Sequence, residues 1–210
     1  MKNLKRLDAP VKRVTLALTV AALVQAGSAL AALELRDING NATAITADAQ
    51  FAYDTVLDAT WYLTANNAGL NWDNAKSWAA GLTVGTFSGW SLPASDETCS
   101  FYNCTASQMG ELYYTALGNP AGGLLSNTGP FKNLQSNIYW SGTEFAPSSD
   151  YAWAFRTDYG YQYVNGKSNV LYALAVRPGD VAAVPEPGMV ALLLSGLAGV
   201  LVMRRRPVGA

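Results

Sequence analysis

The chain has 210 residues, with 14 Lys and Arg, 15 Asp and Glu, two Cys and no His. The lack of His excludes Ser-His-Asp and Cys-His hydrolases and imidazole metal sites. Eight basic residues lie near the two ends, so residues 32–187 hold six basic and 14 acidic residues and carry a net charge of −8. This acidic central region argues against binding of nucleic acid, or of an anionic polymer, through a broad basic face.

Residues 1–31 have the pattern of a Sec signal peptide. A basic segment precedes the apolar residues 14–24, and Ala29-Leu30-Ala31 is a small-x-small cleavage site. The alternative, a retained membrane anchor, is disfavoured because the apolar run is short. We therefore expect cleavage after Ala31. The basic residues of the segment are Lys2, Lys5, Arg6, Lys12 and Arg13.

The next region contains short elements with aromatic residues. Residues 32–50 form a lead-in segment in which Leu33, Leu35 and Ile38 suggest one short strand. Residues 51–63 are rich in β-branched and aromatic residues and predict one or two strands. After a loop at residues 66–71, Asn71 is expected to cap a helix over residues 72–81.

The middle of the chain is expected to contain an extended piece at residues 89–93, a small loop and a second helix. Cys99 and Cys104 most simply form a disulfide in an oxidising compartment; a metal pair and a catalytic thiol are the alternatives. Thr105 and Gln108 resemble a capping box that opens a helix ending near Leu117. A loop rich in Gly, Pro and Asn follows over residues 119–135.

Beyond this loop, the hydrophobic period changes from 3.6 to 2. Asn165-Gly166 is a turn signal between the last two predicted strands. The sequence thus predicts an α+β domain with two helices and a terminal antiparallel sheet. The four expected antiparallel strands cover residues 138–145, 151–157, 159–164 and 171–177.

The C-terminal end has three parts in order. Residues 181–187 form a linker that contains Pro185-Glu186-Pro187, residues 188–203 have no charge, and residues 204–210 form a basic tail with Arg204, Arg205 and Arg206. As a helix, the apolar part with Pro187 would span about 25 Å, close to the thickness of a bilayer core, so we expect one transmembrane helix over residues 188–203.

This end resembles the PEP-CTERM protein-sorting signal of Gram-negative bacteria that secrete polymers. The resemblance implies export across the inner membrane, transient anchoring there, recognition of Pro185-Glu186-Pro187 by an exosortase and removal of the tail. The expected location is then the cell surface or the extracellular matrix.

Six short motifs also resemble, in order, the Lcl C-terminal domain family, a domain of unknown function. The resemblance covers residues 51–180 and implies a C-type-lectin-like fold, with no catalytic residues to carry over. Ser91 stands where the family usually has Arg, so any role of that Arg is absent. The motifs lie at residues 54–61, 71–79, 89–93, 111–114, 139–144 and 173–178.

Aromatic faces flanked by amides and carboxylates suggest saccharide binding without a metal or cofactor. The opposite interpretation places most of these aromatics in the core. Tyr159, Tyr161 and Tyr163 share one face of a short strand and are the better candidates for exposure. The candidate ligand-binding residues are Trp140, Glu144, Tyr159, Tyr161, Tyr163, Asn165 and Asn169.

Two other activities have weaker support. A glycosidase needs two carboxylates, and the available pairs are Glu144 with Asp158 and Asp96 with Glu97. Calcium would use oxygen ligands such as those of Asp73 and Asn74, which fall in a predicted helix. The leading hypothesis is therefore a non-enzymatic, exported protein that binds polysaccharide; a purely structural matrix component and a polysaccharide hydrolase are the alternatives.

Overall fold

The computed structural model describes residues 33–182 and contains ten short strands. The strands form two sheets, joined by an α-helix, a shorter helical segment and long loops. The strands are β1 (Leu33–Arg36), β2 (Phe51–Asp54), β3 (Ala59–Tyr62), β4 (Asn66–Leu70), β5 (Phe101–Tyr102), β6 (Ile138–Glu144), β7 (Tyr151–Arg156), β8 (Tyr161–Gly166), β9 (Leu171–Ala173) and β10 (Val176–Pro178).

The smaller sheet has the order β1-β2-β3-β10, and all its pairs are antiparallel. Its centre is the β2–β3 hairpin, so the one or two strands predicted within residues 51–63 are two. The short strand predicted in the lead-in segment is also present, because Leu33 of β1 pairs with Asp54 of β2. The lead-in segment therefore belongs to the folded domain.

The larger sheet has the order β4-β9-β6-β7-β8-β5. Its β6–β7–β8 core is antiparallel, as predicted for this part of the chain. Residues 66–70, expected in a loop, form the edge strand β4 instead. Tyr159, expected in a strand, lies in the turn before β8. The turn expected at Asn165-Gly166 begins just after Gly166, which is the last residue of β8.

The first predicted helix is confirmed as α1 (Trp72–Gly81). The Asn71 side chain accepts a hydrogen bond from the backbone N–H of Asn74 at 3.0 Å, so Asn71 is the N-cap as expected. The helix buries Trp72, Ala75 and Ala79 on one side.

The second predicted helix differs from its expectation. One α-helical turn, α2 (Gln108–Gly110), runs into a π-helical segment, Glu111–Ala116. Ser107, and not Thr105, is the N-cap, because Ser107 Oγ accepts from the N–H of Gly110 at 3.1 Å. The expected capping box is wrong, since Gln108 Oε1 accepts from the N–H of Ala94 at 2.7 Å.

The expected fold class is also wrong. The domain is mostly β, with two sheets and short helices, and not two helices with one terminal antiparallel sheet in a C-type-lectin-like arrangement. The last predicted strand divides at Leu174 and Ala175, which are fully buried. Before this point β9 pairs with β6 in parallel, and after it β10 crosses to the smaller sheet.

Several predictions fall outside residues 33–182, the part that the structure describes. They are the signal peptide (1–31), the sorting residues Pro185, Glu186, Pro187, Arg204, Arg205 and Arg206, and the transmembrane helix (188–203). None of the helices between residues 33 and 182 is long and apolar enough to cross a membrane.

Two hydrophobic clusters fill the interior. One packs the π-helical segment against both sheets around Trp61, Tyr113 and Phe155. The other packs α1 against the larger sheet around Trp72 and Trp140. Burial of these large side chains is the main source of stability.

Candidate functional site

Helix α1 covers only part of one face of the larger sheet. It packs over the β4, β9 and β6 side, where Trp72 Nε1 donates to the carbonyl of Ser141 at 2.8 Å. On the same face, β7 presents Arg156 opposite Tyr161 of β8, and Ala154 opposite Tyr163. The β8 and β5 side of the face remains open.

The open side carries a groove lined by four tyrosines and one arginine. The groove has a volume of about 470 Å³. The Tyr161 and Tyr163 ring centroids are 5.7 Å apart, and the Tyr102 ring meets the Tyr161 ring edge-on at 5.3 Å. We call this site the tyrosine groove; its lining residues are Tyr102, Arg156, Tyr159, Tyr161 and Tyr163.

A disulfide loop builds one wall of the groove. Cys99 and Cys104 are joined with their Cα atoms 5.5 Å apart, as the sequence suggested. The loop pairs Phe101 and Tyr102 with β8 as the edge strand β5. Phe101 (φ 77°) and Asn103 (φ 61°) adopt left-handed backbone conformations that are unfavourable for non-glycine residues. The loop thus holds two exposed aromatic rings in a constrained position; Phe101 is 60% exposed and Tyr102 is 44% exposed.

Arg156 lies in the groove as half of an ion pair. Its Nε donates to Asp158 Oδ1 at 3.0 Å and its Nη2 to Asp158 Oδ2 at 2.5 Å, and this carboxylate raises the pKa of Arg156. The guanidinium carbon lies 4.8 Å from the centroid of the Tyr159 ring. The pair fixes the orientation of Arg156 and balances its charge.

Three of the seven predicted ligand-binding residues, Tyr159, Tyr161 and Tyr163, line the tyrosine groove. Trp140 is fully buried and donates through Nε1 to the carbonyl of Leu70 at 2.7 Å, so it belongs to the core. Asn165 borders the groove, since its Nδ2 donates to Tyr163 Oη at 2.9 Å. Asn169 in turn donates to Asn165 Oδ1 at 2.5 Å, and Glu144 pairs with Lys167.

Three of the four carboxylates considered for glycosidase chemistry have other partners, and the fourth, Glu97, is exposed in a loop. Glu144 is bound to Lys167 and Asp158 to Arg156. Asp96 accepts from the N–H of Thr98 at 2.9 Å and from its hydroxyl at 2.7 Å, which lowers the pKa of Asp96. Within residues 33–182, no three His, Cys, Asp or Glu residues lie close enough to hold a metal ion.

A different carboxyl pair lies in the interior. Glu111, in the π-helical segment, and Asp54, at the end of β2, are both buried. Burial, and then the neighbouring Asp54, raise the pKa of Glu111 to about 8. Glu111 therefore keeps its proton at neutral pH beside Asp54, whose Oδ1 accepts from the N–H groups of Val56 and Leu57. This pair holds the π-helical segment to the smaller sheet.

Comparison with known protein families agrees with the two resemblances in the sequence. The profile of the Lcl C-terminal domain matches residues 50–177, more than half of the chain. The chain belongs to the Lcl C-terminal domain family. The profile of the PEP-CTERM protein-sorting motif matches residues 183–206. No curated protein matches the chain.

The sorting motif defines the coarse function of this Lcl-type protein. It is an exported protein of the cell surface or extracellular space, and an exosortase processes it. The tyrosine groove lies within the part that matches the Lcl C-terminal domain.

Sequence reasoning missed Tyr102 and Arg156 as parts of the site. The two cysteines that flank Phe101 and Tyr102 were the available signal, because a short disulfide loop exposes the residues between them. Their pairing with β8, some 60 positions later, depends on the tertiary fold.

Proposed function

We propose that the tyrosine groove binds a neutral polysaccharide of the cell surface or extracellular matrix. The observation that carries this proposal is the convergence of exposed tyrosines from two distant segments around one groove. Five of the six Trp are buried, whereas Tyr102 and Tyr159 of the groove are 44% and 43% exposed.

The lining chemistry suits a sugar ring. Tyrosine supplies a flat apolar face for the C–H groups of a pyranose and a hydroxyl for its polar edge. Asn165, next to Tyr163, adds an amide at the rim. A groove with aromatic walls and a few polar groups is the common form of a small-ligand site.

The charge of the groove favours a neutral polymer. Arg156 is paired with Asp158, so its positive charge is compensated. The acidic domain around it would repel a polyanion. A polymer without carboxylate or phosphate groups needs no free positive charge in the groove and is not repelled by the acidic domain.

The proposal includes binding without turnover. The candidate carboxylates Glu144 and Asp158 are held in ion pairs, which suits a structural role better than acid–base catalysis. Incubation of the protein with the polymer should release no reducing ends. Release that is lost in Glu144→Gln would support the hydrolase alternative instead.

The proposed route of export to the cell surface is the Sec pathway of a Gram-negative bacterium. The support is the basic, apolar and small-residue order of residues 1–31. N-terminal sequencing of the exported protein should begin at Ala32.

Binding is tested by calorimetry with the neutral exopolysaccharide of the producing bacterium. Tyr161→Ala and Tyr163→Ala should each weaken binding by about tenfold, the usual cost of truncating a central aromatic contact. Tyr151→Ala is the matched control, because Tyr151 is 45% exposed but lies on the opposite face of β7. Equal losses in all three variants, or no binding at all, would contradict the proposal. Self-association that ignores added saccharide would favour the purely structural alternative.

A further inference from the structure

The N-terminal segment and the end of the domain are tied together. Arg36, at the end of β1, is buried; its Nε donates to Asp180 Oδ1 at 3.1 Å and its Nη2 to Asp180 Oδ2 at 2.6 Å. The hydrogen bonds to the Asp180 carboxylate raise the pKa of Arg36. The two residues are 144 positions apart, so this contact joins the beginning and the end of the described chain.

Adjacent contacts hold the chain as far as Val181. The N–H of Gly179 donates to the carbonyl of Asp58 at 2.8 Å, and Thr60 Oγ1 donates to the carbonyl of Gly179 at 2.7 Å. Val181 is buried against Gly40, which has φ 85° and packs so closely that a Cβ there would lie 2.0 Å from the Val181 carbonyl oxygen. The domain therefore reaches almost to the sorting motif that begins at residue 183.

Covalent geometry then limits how far the sorting motif can lie from the domain. Three peptide units separate Ala182 from Pro185, and a fully extended chain spans at most about 3.6 Å per residue, or about 11 Å here. A folded enzyme is on the order of 30 Å across, so one that grips Pro185-Glu186-Pro187 has no room to stay clear of the domain.

We propose that the surface around this exit point contacts the exosortase that processes the sorting motif. The exit surface lies around the buried contact of Gly40 with Val181 and is formed by Ile38, Asn39, Phe87 and Asp180. Ile38 is 40% exposed and Asn39 is exposed, and both directly precede Gly40, which contacts Val181 at the end of the described chain. This inference depends on the sorting motif and is independent of saccharide binding.

The experiment follows processing of the full chain in a bacterium that contains its own exosortase. A C-terminal epitope after Ala210 reports the unprocessed form in a pulse-chase. Ile38→Lys and Asn39→Lys change exposed positions of the exit surface. Val170→Lys is the control, because Val170 is exposed in the turn between β8 and β9 of the other sheet. Each variant is made with the native linker and with about twelve Gly and Ser residues inserted after Ala182, a flexible spacer that lets the enzyme move away from the domain.

With the native linker, the two exit-surface variants should slow loss of the epitope by about threefold or more, as charge changes at the edge of an interface do, and Val170→Lys should have no effect. With the spacer, all variants should be processed at the same rate as the protein that carries the spacer and no substitution. Normal processing of both exit-surface variants with the native linker overturns the proposal. Slowing that persists with the spacer also overturns it, because it indicates a folding defect.

Discussion

On one face of the larger sheet, the aromatic residues are buried in one part and line an open groove in the other. Near β6, α1 covers the sheet, and Trp72 and Trp140 are buried with their indole N–H groups bonded to carbonyls. Near β8 and β5, the face is open, and Tyr161 and Tyr163 line a groove.

The difference shows that a covering element, and not residue type, separates core from surface here. Ala75 and Ala79 of α1 and Ala152 and Ala154 of β7 are all fully buried, because small side chains let the helix and the sheet approach closely. Since α1 does not reach β8, the tyrosines there keep their exposed edges.

The largest effect is expected for loss of the covered indole of Trp140. Trp140→Ala should lower the free energy of unfolding by about 3–5 kcal/mol, because it leaves a cavity and an unpaired Leu70 carbonyl. Tyr161→Ala, in the open part, should cost below about 1 kcal/mol. Urea denaturation measures both. Similar losses for the two variants would show that the groove is part of the core.

The covered interior should also differ from the open groove in its pH dependence, because Asp54 and Glu111 are buried there. Glu111 ionises near pH 4.5 in the unfolded chain and at about 8 in the folded protein. Between these values the folded state binds more protons, so the free energy of unfolding should fall as pH rises, by about 1.4 kcal/mol per pH unit at most. This contribution is fully present below pH 4.5 and is lost as pH rises through 8.

The measurement is urea denaturation of wild type and Glu111→Gln between pH 6 and pH 8. The chain has no His, so few other groups titrate in this range. Glu111→Gln should remove the slope, whereas Glu97→Gln, at an exposed loop position, should keep it. Parallel curves for wild type and Glu111→Gln would show that Glu111 is already ionised at pH 6. Saccharide binding by the tyrosine groove should not follow this titration.

A smaller effect is expected where the open part depends on the disulfide. Replacement of both Cys99 and Cys104 by Ser should cost about 2 kcal/mol in stability, because the closed loop is short. The relaxed loop should also release Phe101 and Asn103 from left-handed conformations, so Tyr102 should leave the groove. We expect saccharide affinity to fall while the near-ultraviolet circular dichroism of the buried tryptophans is unchanged. Full affinity in this double variant would show that β5 is not needed.

The smallest expected effect concerns specificity. Asp158→Asn should change stability by less than about 1 kcal/mol, because the Arg156–Asp158 pair is partly exposed. It should leave the Arg156 charge uncompensated and strengthen binding of a uronic acid polymer by about threefold, while binding of the neutral polymer changes little. Calorimetry with the two polymers tests this. No gain for the acidic polymer would mean that Arg156 does not face the ligand.

Local patterns were sufficient for several parts of the fold. Asn71 and the apolar spacing after it indicated α1, and the aromatic and β-branched residues around Trp61 indicated extended structure where β2 and β3 lie. The second helix was less predictable, because Gln108 bonds to Ala94 and Gly110 packs within reach of the Cys104 carbonyl, and both contacts come from other segments. For the site, the alternation of residues placed Tyr161 and Tyr163 on one face of a strand. The same alternation also made Trp140 a candidate ligand-binding residue, although Trp140 is buried.

The sequence by itself determined where this protein is sent and which family it belongs to, because sorting signals and family motifs are read from residues in linear order. It also favoured the Cys99–Cys104 disulfide and predicted the antiparallel pairing of β6, β7 and β8. The tertiary structure alone decided which aromatics are buried, because that depends on where α1 ends relative to the sheet. It also decided that the last strand divides between two sheets and that Arg36 meets Asp180, since contacts between distant segments depend on the packing of the whole chain.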